Sequence, residues 1–304
     1  MTGRINKDVM RERNRALVLD VIRRSGPLGR AQIARATTLG KPAVSTLVDE
    51  LLAARVVRES GLGLTGADGG RPSVLVEFDP ASEAYVGAQI GVHTTTVIVA
   101  DGSGAVQASR SAGSIRDDAG AGIALLGSLG EGALADAGVD RATVRGAGLA
   151  VPGLLDRRSG MLRVAPNLGW HDHPIRQAAS EALGLPVSVH NITQAAAFAE
   201  RCVGAAVGIG TFVWVYVGSG VGAAIVVDGE LVLGAKGQAG EIGHCRVIED
   251  GPPCGCGGTG CLETVASGRA IERAGREAAA GRRRSSLRGR AGLSAQDVLE
   301  AASA

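Results

Sequence analysis

The chain has 304 residues, of which 45% are apolar and 20% charged, and this ordinary globular usage excludes a disordered or fibrous protein. Its longest apolar runs, such as 210–217, fall far short of the roughly 20 residues that a membrane span needs, and the N-terminus lacks the apolar core of a signal peptide, so a cytoplasmic protein is expected. The formal net charge is +2, yet residues 1–78 hold 13 Lys and Arg against 8 Asp and Glu, so a basic head precedes a mildly acidic body.

The head opens with helical patterns. Apolar residues recur at helical spacing from Leu17 to Ile22, and Gly26-Pro27 ends that helix. A second helix is predicted over 30–36. A third begins at Lys41-Pro42 and carries an apolar stripe at i, i+3, i+4, i+7 and i+8, formed by Val44, Leu47, Val48, Leu51 and Leu52. The stripe faces a core, so Ser45, Thr46 and Asp49 are predicted to face outward.

Two helices joined by a tight, Gly-containing turn are typical of a helix-turn-helix, whose second helix lies in the major groove of DNA. Lys41, Ser45 and Thr46 are the candidate groove-facing residues. Predicted strands over 56–58 and 74–76 flank a Gly-rich loop whose Arg71 suits a wing that reaches a phosphate or the minor groove. The same pattern is compatible with a three-helix packing module that carries a surface hairpin.

From Tyr85 the pattern changes to alternating strands and helices with glycine at the corners. Strands are predicted over 85–90, 95–100, 105–109, 144–150 and 186–190, and helices over 122–137 and 174–183. Their order is that of one lobe of the actin-like ATPase architecture. A second lobe is predicted to begin with strands over 211–217, 223–227 and 231–233.

Specific motifs carry a resemblance to a known family. They are RNRALVLDVIRRSGPLGRAQIARATTLGKPAVSTLVDELL and GGRPSVLVEF in the head, and APNLGW, VGSGVGAAIVVDGELVLGAKGQAGEIGH and CGCGGTGCLETVASG in the body. Their residues, order and spacing resemble those of the ROK family (repressor, open reading frame, kinase). The resemblance implies an α/β protein with an N-terminal winged helix-turn-helix over 1–78 and a two-lobe, actin-like sugar-kinase domain over 82–304. Because family members continue past the helix predicted over 270–280, the second lobe is expected to be incomplete.

Four candidate metal ligands lie close together in the sequence: His244, Cys254, Cys256 and Cys261. One imidazole and three thiolates complete the tetrahedral shell of a structural zinc site, with no open position. The intervening glycines let a short loop wrap around the ion. The alternative is three unligated cysteines, and Cys202 and Cys245 are expected to be buried thiols.

The resemblance also implies a hexose pocket. Its polar groups correspond to Gly153, Asn167, Asn191, Glu241, His244 and Glu263. Carboxylates and amides that meet several hydroxyls reject ligands unable to satisfy them. His244 would present one ring nitrogen to zinc and the other to the sugar. The alternative is a set of inherited polar residues that no longer bind a ligand.

The position of the catalytic base differs from that of the family's kinases. They place an aspartate directly after the asparagine that opens this helix, whereas Ile192 follows Asn191 here and cannot accept a proton. The first phosphate loop lacks the family's acidic residue and glycine pair, and holds Gln89, Val92 and His93 instead. The second loop, 218–222, is kept; it joins two strands and therefore does not match a dinucleotide-binding fingerprint.

The sequence therefore predicts a DNA-binding transcriptional regulator of sugar-related genes, most simply a repressor, with no catalytic residues. Its expected partners are a double-stranded DNA operator, a sugar or sugar-phosphate effector and a second copy of the chain, with no membrane partner. The alternatives are a hexose kinase that carries a DNA-binding head, and a truncated remnant that serves as an interaction surface. The arginine-rich segment 281–290 is interpreted as a solvated loop or as an additional phosphate contact.

Overall fold

The computed structural model describes residues 7–63, 72–235, 237–281, 285–290 and 292–303. The chain divides into two compact units. The first comprises Met1–Tyr85, Val99–Ala108 and Ala137–Arg145, and the second comprises Val86–Ile98, Ser109–Asp136 and Gly146–Ala304. The first unit contains the basic head, and the second contains the candidate sugar and metal residues.

The head contains helices α1 (Lys7–Ser25), α2 (Arg30–Thr37) and α3 (Lys41–Ala53). Strands β1 (Leu28–Gly29), β2 (Val57–Leu62) and β3 (Val74–Phe78) form an antiparallel sheet in the order β1-β3-β2. The predicted helices and both predicted strands are confirmed. Strand β1 was not predicted, because two residues are too short to show a period-2 pattern.

The core of the head forms around the apolar stripe of α3. Val44, Val48 and Leu51 are fully buried, and they belong to the same cluster as Ile22 of α1 and Ile33 of α2. Thr46 and Asp49 are exposed and Ser45 is half-buried, so α3 turns a polar side outward as its spacing predicts.

The body begins with strands β4 (Ala84–Ile90), β5 (Thr94–Asp101) and β6 (Val106–Gly113), followed by helix α4 (Ala119–Ala137) and strand β7 (Val144–Val151). Short 3-10 helices lie at Pro80–Ser82 and Arg141–Thr143. In β4 the side chains of Val86, Ala88 and Ile90 are buried, while Gln89 is exposed. The predicted strands are confirmed, and each begins or ends within a few residues of the prediction.

A small antiparallel sheet follows that was not predicted. Strands β8 (Leu154–Asp156), β9 (Met161–Ala165) and β10 (Trp170–His173) pair in the order β10-β9-β8. They have three to five residues each, and glycines with positive φ at 160 and 169 turn the chain between them. Such short strands leave too few residues for a period-2 pattern.

Helix α5 (Ile175–Leu183) leads to strand β11 (Val187–Asn191), which completes a five-stranded sheet in the order β11-β7-β4-β5-β6. Strands β11 and β7 run parallel, with Asn191 opposite Val151. The carboxyl ends of both strands therefore meet at one edge of the sheet. In open α/β sheets this edge is where ligands bind.

Helix α6 (Ile192–Val203) precedes the second lobe, whose antiparallel sheet has the order β12-β13-β14. The strands are β12 (Phe212–Val217), β13 (Val221–Val227) and β14 (Glu230–Leu231). Ala197 of α6 packs against Ala224 and Val226 of β13. Strand β14 corresponds to the strand predicted over 231–233, but it is shorter and ends at Leu231.

A 3-10 helix at Ile242–His244 precedes helices α7 (Glu263–Ala266), α8 (Gly268–Gly281) and α9 (Ala295–Ser303). Helix α9 was not predicted. A side chain at Gly275 of α8 would lie 2.3 Å from Val298 of α9, so glycine permits the close approach of the two helices. Among the described residues, no helix combines the length and apolar character needed to cross a membrane.

Candidate functional site

The candidate DNA-binding face lies on the N-terminal half of α3. Lys41 is exposed in the first turn, and Gly40 caps the helix without a side-chain hydrogen bond, so the first backbone N–H groups stay available to an anion. The exposed Thr46 hydroxyl donates to the Pro42 carbonyl at 3.1 Å, and Ser45 lies beside it half-buried. Arg71, the predicted wing arginine, lies outside the described residues.

Ion pairs neutralise the acidic residues further along α3. Arg11 pairs with Glu50, and Arg30 pairs with Asp49. The acidic groups that would repel a phosphate backbone are thereby matched by cations. Lys41 is left as the positive charge at the start of the helix.

A cleft of about 760 Å³ lies within the second unit. Its lining comes from the ends of β4 and β11, the loops after β7 and β9, the turn between β12 and β13, and the segments 241–244 and 253–273. This volume lies within the range of small-molecule sites. All six predicted sugar-binding residues line it: Gly153, Asn167, Asn191, Glu241, His244 and Glu263.

Asn191 and Gly153 are held together by the asparagine side chain. Asn191 Oδ1 accepts from the backbone N–H of Thr193 at 2.8 Å and so caps α6, while its Nδ2 donates to the Gly153 carbonyl at 3.1 Å. Gly153 has φ +102°, and a Cβ there would lie 2.2 Å from the carbonyl oxygen of Val164. Glycine is therefore required at this corner of the cleft.

Glu263 is fixed beside the turn between β12 and β13. Its Oε2 accepts from the backbone N–H of Val221 at 3.0 Å, and a Cβ at Gly220 would lie 2.5 Å from the same oxygen. The turn glycine therefore allows the carboxylate to sit against the backbone. Asn167 is near the same point, because the Gly220 Cβ would lie 3.7 Å from its Nδ2.

Glu241 and His244 link the cleft to the cysteine cluster. Glu241 Oε2 lies 3.8 Å from Nε2 of His244, whose Nδ1 lies 3.6 Å from Sγ of Cys254. Partial burial raises the pKa of the Glu241 carboxyl above its ordinary value, opposed by His244 and reinforced by Glu263. The imidazole thus turns Nδ1 to the cysteines and Nε2 to Glu241, which lines the cleft.

The four predicted metal ligands come together. The ligand atoms of His244, Cys254, Cys256 and Cys261 all lie within 4.8 Å of one another, and the sulfurs of Cys256 and Cys261 are 3.8 Å apart. Tetrahedral zinc with Zn–S bonds of about 2.3 Å places its sulfurs about 3.8 Å apart. The separation of the Cys256 and Cys261 sulfurs matches this value, and small shifts of the other ligand atoms would complete the shell.

The thiols of the cluster share one environment. A hydrogen bond from the backbone N–H of Gly258 lowers the pKa of Cys256, while burial, with the sulfurs of Cys254 and Cys256, raises that of Cys261 to about 12. Three thiolates at this spacing repel one another, and a divalent cation between them removes that cost. The donor set is therefore suited to a metal ion.

Cys202 and Cys245 are exposed, so the prediction that they are buried thiols is wrong. Cys202 lies in the last turn of α6, beyond the buried Gln194 and Ala197, and Cys245 directly follows the 3-10 helix that carries His244. A hydrophobic residue type alone does not decide which face of a helix it occupies.

Ile192 occupies the predicted base position in the structure. It is the first residue of α6, directly after the Asn191 cap, and it lines the cleft. Gln89, at the end of β4, lines the cleft with a neutral amide. Among the described lining residues the carboxylates are Glu241 and Glu263, and neither lies beside Asn191 in the sequence.

Sequence reasoning missed two arginines of the cleft. Arg269 and Arg273 lie one turn apart on α8, and both line the cleft. Arg269 Nη1 donates to Asn167 Oδ1 at 2.9 Å, across 102 positions of sequence. On an amphipathic helix an arginine is usually a solvated surface residue, so no local signal marks these two as cleft residues.

Comparisons with known proteins identify relatives of two kinds. Residues 85–303 match the ROK family. The xylose repressor of Caldicellulosiruptor bescii is 33% identical over 267 residues, which cover 88% of this chain and 66% of that protein. The glucokinase of Halalkalibacterium halodurans is 42% identical over 164 residues, which cover 52% of this chain and 50% of the glucokinase. The chain thus spans just under two thirds of the xylose repressor.

The similar solved structures also include both a transcriptional regulator and a sugar kinase. The crystal structure of a ROK family transcriptional regulator, a homolog of the E. coli MLC protein, is 27% identical with a TM-score of 0.76, and covers 97% of this chain and 74% of the regulator. A ROK family glucokinase from Streptomyces griseus, in complex with glucose and AMPPNP, is 31% identical with a TM-score of 0.60, and covers 65% of this chain and 61% of the kinase. The match to the regulator extends over the head.

Proposed function

The chain belongs to the ROK family, and from that premise we propose that it is a DNA-binding transcriptional repressor of sugar-related genes. Residues 1–78 form the DNA-binding domain, and residues 82–304 form a sensor domain that binds a sugar effector. The observation that carries the proposal is the exposed polar side of α3, presented by a fully packed head on the same chain as the cleft.

The head contacts DNA through α3 and the wing. Lys41, Ser45 and Thr46 enter the major groove at the N-terminal end of α3, where the helix dipole and free backbone N–H groups favour phosphate. Arg71 extends this contact from the wing. Because a helix-turn-helix reads half-sites, two copies of the chain bind a palindromic operator as a homodimer.

The cleft binds the effector. Asn167, Asn191 and Glu263 are held in place by hydrogen bonds to neighbouring groups, so the site is formed before the ligand arrives. A sugar that favours the closed form of the cleft over the open form shifts the population of DNA-binding conformations by its difference in affinity. When the sugar is present, the repressor therefore leaves its operator and the gene is transcribed.

Zinc occupies the cluster of His244, Cys254, Cys256 and Cys261. The donor set and the 3.8 Å sulfur separation support this assignment. The ion would fix the loop 254–261 and the orientation of His244, which in turn faces Glu241. Its role is structural, because the four ligands leave no open position.

The cleft does not catalyse phosphoryl transfer. Ile192 replaces the proton acceptor, and the loss of a positioned general base costs about 10²- to 10⁴-fold in rate. Gln89 offers no carboxylate to organise magnesium. Binding a sugar needs neither group, so the effector role survives their loss.

The DNA-binding role is tested by selecting bound fragments from the host's genomic DNA and then measuring variants on the selected site. Ser45→Glu with Thr46→Glu should abolish retention of the site, because two carboxylates would enter a groove bordered by negative phosphates. Ala278→Glu with Ala280→Glu adds the same charge on an exposed part of α8 and should leave binding intact. If the α3 variant binds as well as wild type, the proposed DNA contact is wrong.

A hexose kinase with a DNA-binding head is the second candidate, favoured by the 42% identity to a glucokinase. It predicts ATP-dependent phosphorylation of a hexose by the purified chain, above the background of a Glu263→Ala variant. The repressor proposal predicts instead a hexose that changes DNA affinity several-fold and is recovered unphosphorylated. A single incubation with labelled ATP and sugar distinguishes the two.

A further inference from the structure

We infer that Arg269 and Arg273 form an anion-binding subsite of the cleft, which selects a sugar carrying a phosphate or carboxylate group over the neutral sugar. The inference rests on the proposed effector role of the cleft and names the chemical class of the effector. Its evidence is the position of two cationic side chains and the groups that surround them.

Arg269 lies at the sugar-binding end of the cleft. Its Nη1 donates to Asn167 Oδ1 at 2.9 Å. Because a guanidinium can only donate, the amide must turn its oxygen to Arg269, and its NH₂ group remains for a ligand. Arg269 and Asn167 together therefore present only donors on this side of the cleft, which suits a ligand group that only accepts.

The positive charge of both arginines is uncompensated. Arg273 Nη2 donates to the backbone carbonyl of Thr264 at 2.6 Å, and Arg269 contacts a neutral amide. Across the described ranges, neither forms an ion pair, whereas Arg276 of the same helix pairs with Glu272. The nearby carboxylate of Glu263 is already bonded to the Val221 N–H, and Glu241 faces His244.

The position of Arg269 on α8 is electrostatically costly without an anion. It lies in the first turn of a 14-residue helix, where the helix dipole disfavours cations, and that turn has no acidic residue. The helix start is also docked on the turn glycine, since Gly268 N–H donates to the Gly218 carbonyl at 2.6 Å. The backbone N–H groups of Gly268 and Ala270 are therefore already bonded, the second to Ser267 Oγ, and the two guanidinium groups are what the start of α8 offers to an anion in the cleft.

The ligand that fits has two parts. Hydroxyl groups meet Asn191, Glu241 and Glu263, while an anionic substituent reaches Arg269, whose fork can hold two oxygens of a phosphate or carboxylate. Arg273 lies at i+4 on the same helix face and adds charge at longer range. A sugar phosphate and a sugar acid share this chemistry.

Titration calorimetry on the full zinc-loaded chain tests the subsite at fixed ionic strength. The probes are glucose, mannose and N-acetylglucosamine, their 6-phosphates, glucuronate and inorganic phosphate. At least one 6-phosphate or glucuronate should bind about tenfold or more tightly than its neutral parent, a difference of about 1.4 kcal/mol. If the 6-phosphate has this advantage the effector is a sugar phosphate, and if glucuronate has it the effector is a sugar acid.

Arginine variants of α8 show which side chain provides the affinity advantage of the anionic sugar. Arg269→Gln should remove most of the advantage that the anionic sugar has over its neutral parent, and Arg273→Gln should remove less of it. Arg269→Lys should restore part of it, because charge remains without the fork. Arg276→Gln on the same helix loses an ion pair and a bond to the Leu293 carbonyl outside the cleft, so it controls for structural damage and should keep the full advantage.

Three results would overturn the inference. The first would be that anionic sugars bind no more tightly than neutral ones, a result that is compatible with the proposed sugar-responsive repressor. The second is inorganic phosphate that binds as tightly as the sugar phosphate, since the subsite would then recognise no sugar. The third is the absence of binding by any probe, which refutes the effector role as well, while DNA retention through α3 still reports separately on the head.

Discussion

Glu83 is a buried carboxylate on which several parts of the first unit depend, so its replacement by alanine should be costly. It accepts a hydrogen bond from Arg23 at the end of α1 and from the Tyr85 hydroxyl at 2.9 Å, and Arg145 Nε lies 3.6 Å away. Only 9% of its side chain is exposed. Arg23 also stacks over the Phe78 ring at 4.3 Å, so the carboxylate fixes a cation that packs on β3.

The expected cost of Glu83→Ala follows from its partners. A hydrogen bond to a charged group contributes about 1.5–3 kcal/mol, and the removal of a buried acceptor leaves its donors unsatisfied. Arg23 and Arg145 are 35% and 50% exposed, so water replaces much of what they lose. Tyr85 loses its acceptor as well. We therefore expect the free energy of unfolding to fall by about 2–4 kcal/mol.

Glu77→Ala is the matched control. Glu77 pairs with Arg58 at 2.9 Å across β2 and β3, but Arg58 is 58% exposed, and such a pair contributes about 0.2–1 kcal/mol. Urea unfolding, followed by circular dichroism, compares the two variants with wild type. Tryptophan fluorescence would not report on the first unit, because the tryptophans at 170 and 214 both lie in the second unit. A Glu83→Ala variant no less stable than Glu77→Ala would refute the reasoning.

Three further outcomes are expected. Cys256→Ser should lower the zinc content from about one per chain towards zero and should lower the Tm, and a chelator should have the same effects on wild type. The control variant Cys202→Ser should change neither the zinc content in metal analysis nor the Tm in calorimetry. Gly153→Ala should destabilise the chain by several kcal/mol, far more than Gly208→Ala, whose Cβ meets open space at a similar positive φ; equal Tm values would contradict this. Ile192→Asp should not produce a sugar kinase in a coupled ATP assay, because Gln89 still provides no carboxylate for magnesium.

Periodicity predicted the parts of the fold whose elements are long. The i, i+3, i+4 stripe of α3 and the alternation of β4 each extend over enough residues to show their period. The sheet β8–β10 escaped prediction because its strands have three to five residues and are defined by pairing between segments. Helix α9 escaped because it is defined by tertiary packing on α8 near Gly275. Short elements therefore need their partners before they can be recognised.

The candidate site divides in the same way. The cysteine spacing predicted the cluster, because four ligands within 18 residues can reach one ion with little rearrangement of the chain. The prediction of six sugar-binding residues rested on the resemblance, and all six line one cleft in the structure. Arg269 could not be predicted, since its contact with Asn167 joins residues 102 positions apart. Glu83 likewise acquires its role only when Arg23 and Arg145 meet it.

The structure also shows that the shape of the candidate sugar site does not depend on the side chain of Ile192. Asn191 caps α6 through the N–H and hydroxyl of Thr193 and holds the Gly153 carbonyl, and none of these bonds involves the side chain of Ile192. A change from aspartate to isoleucine at that position would therefore remove the proton acceptor and leave the backbone that shapes the cleft unchanged. Selection for regulation needs affinity that differs between two conformations, whereas a kinase also needs the base. At this helix start the two requirements depend on different residues, so one can be lost without the other.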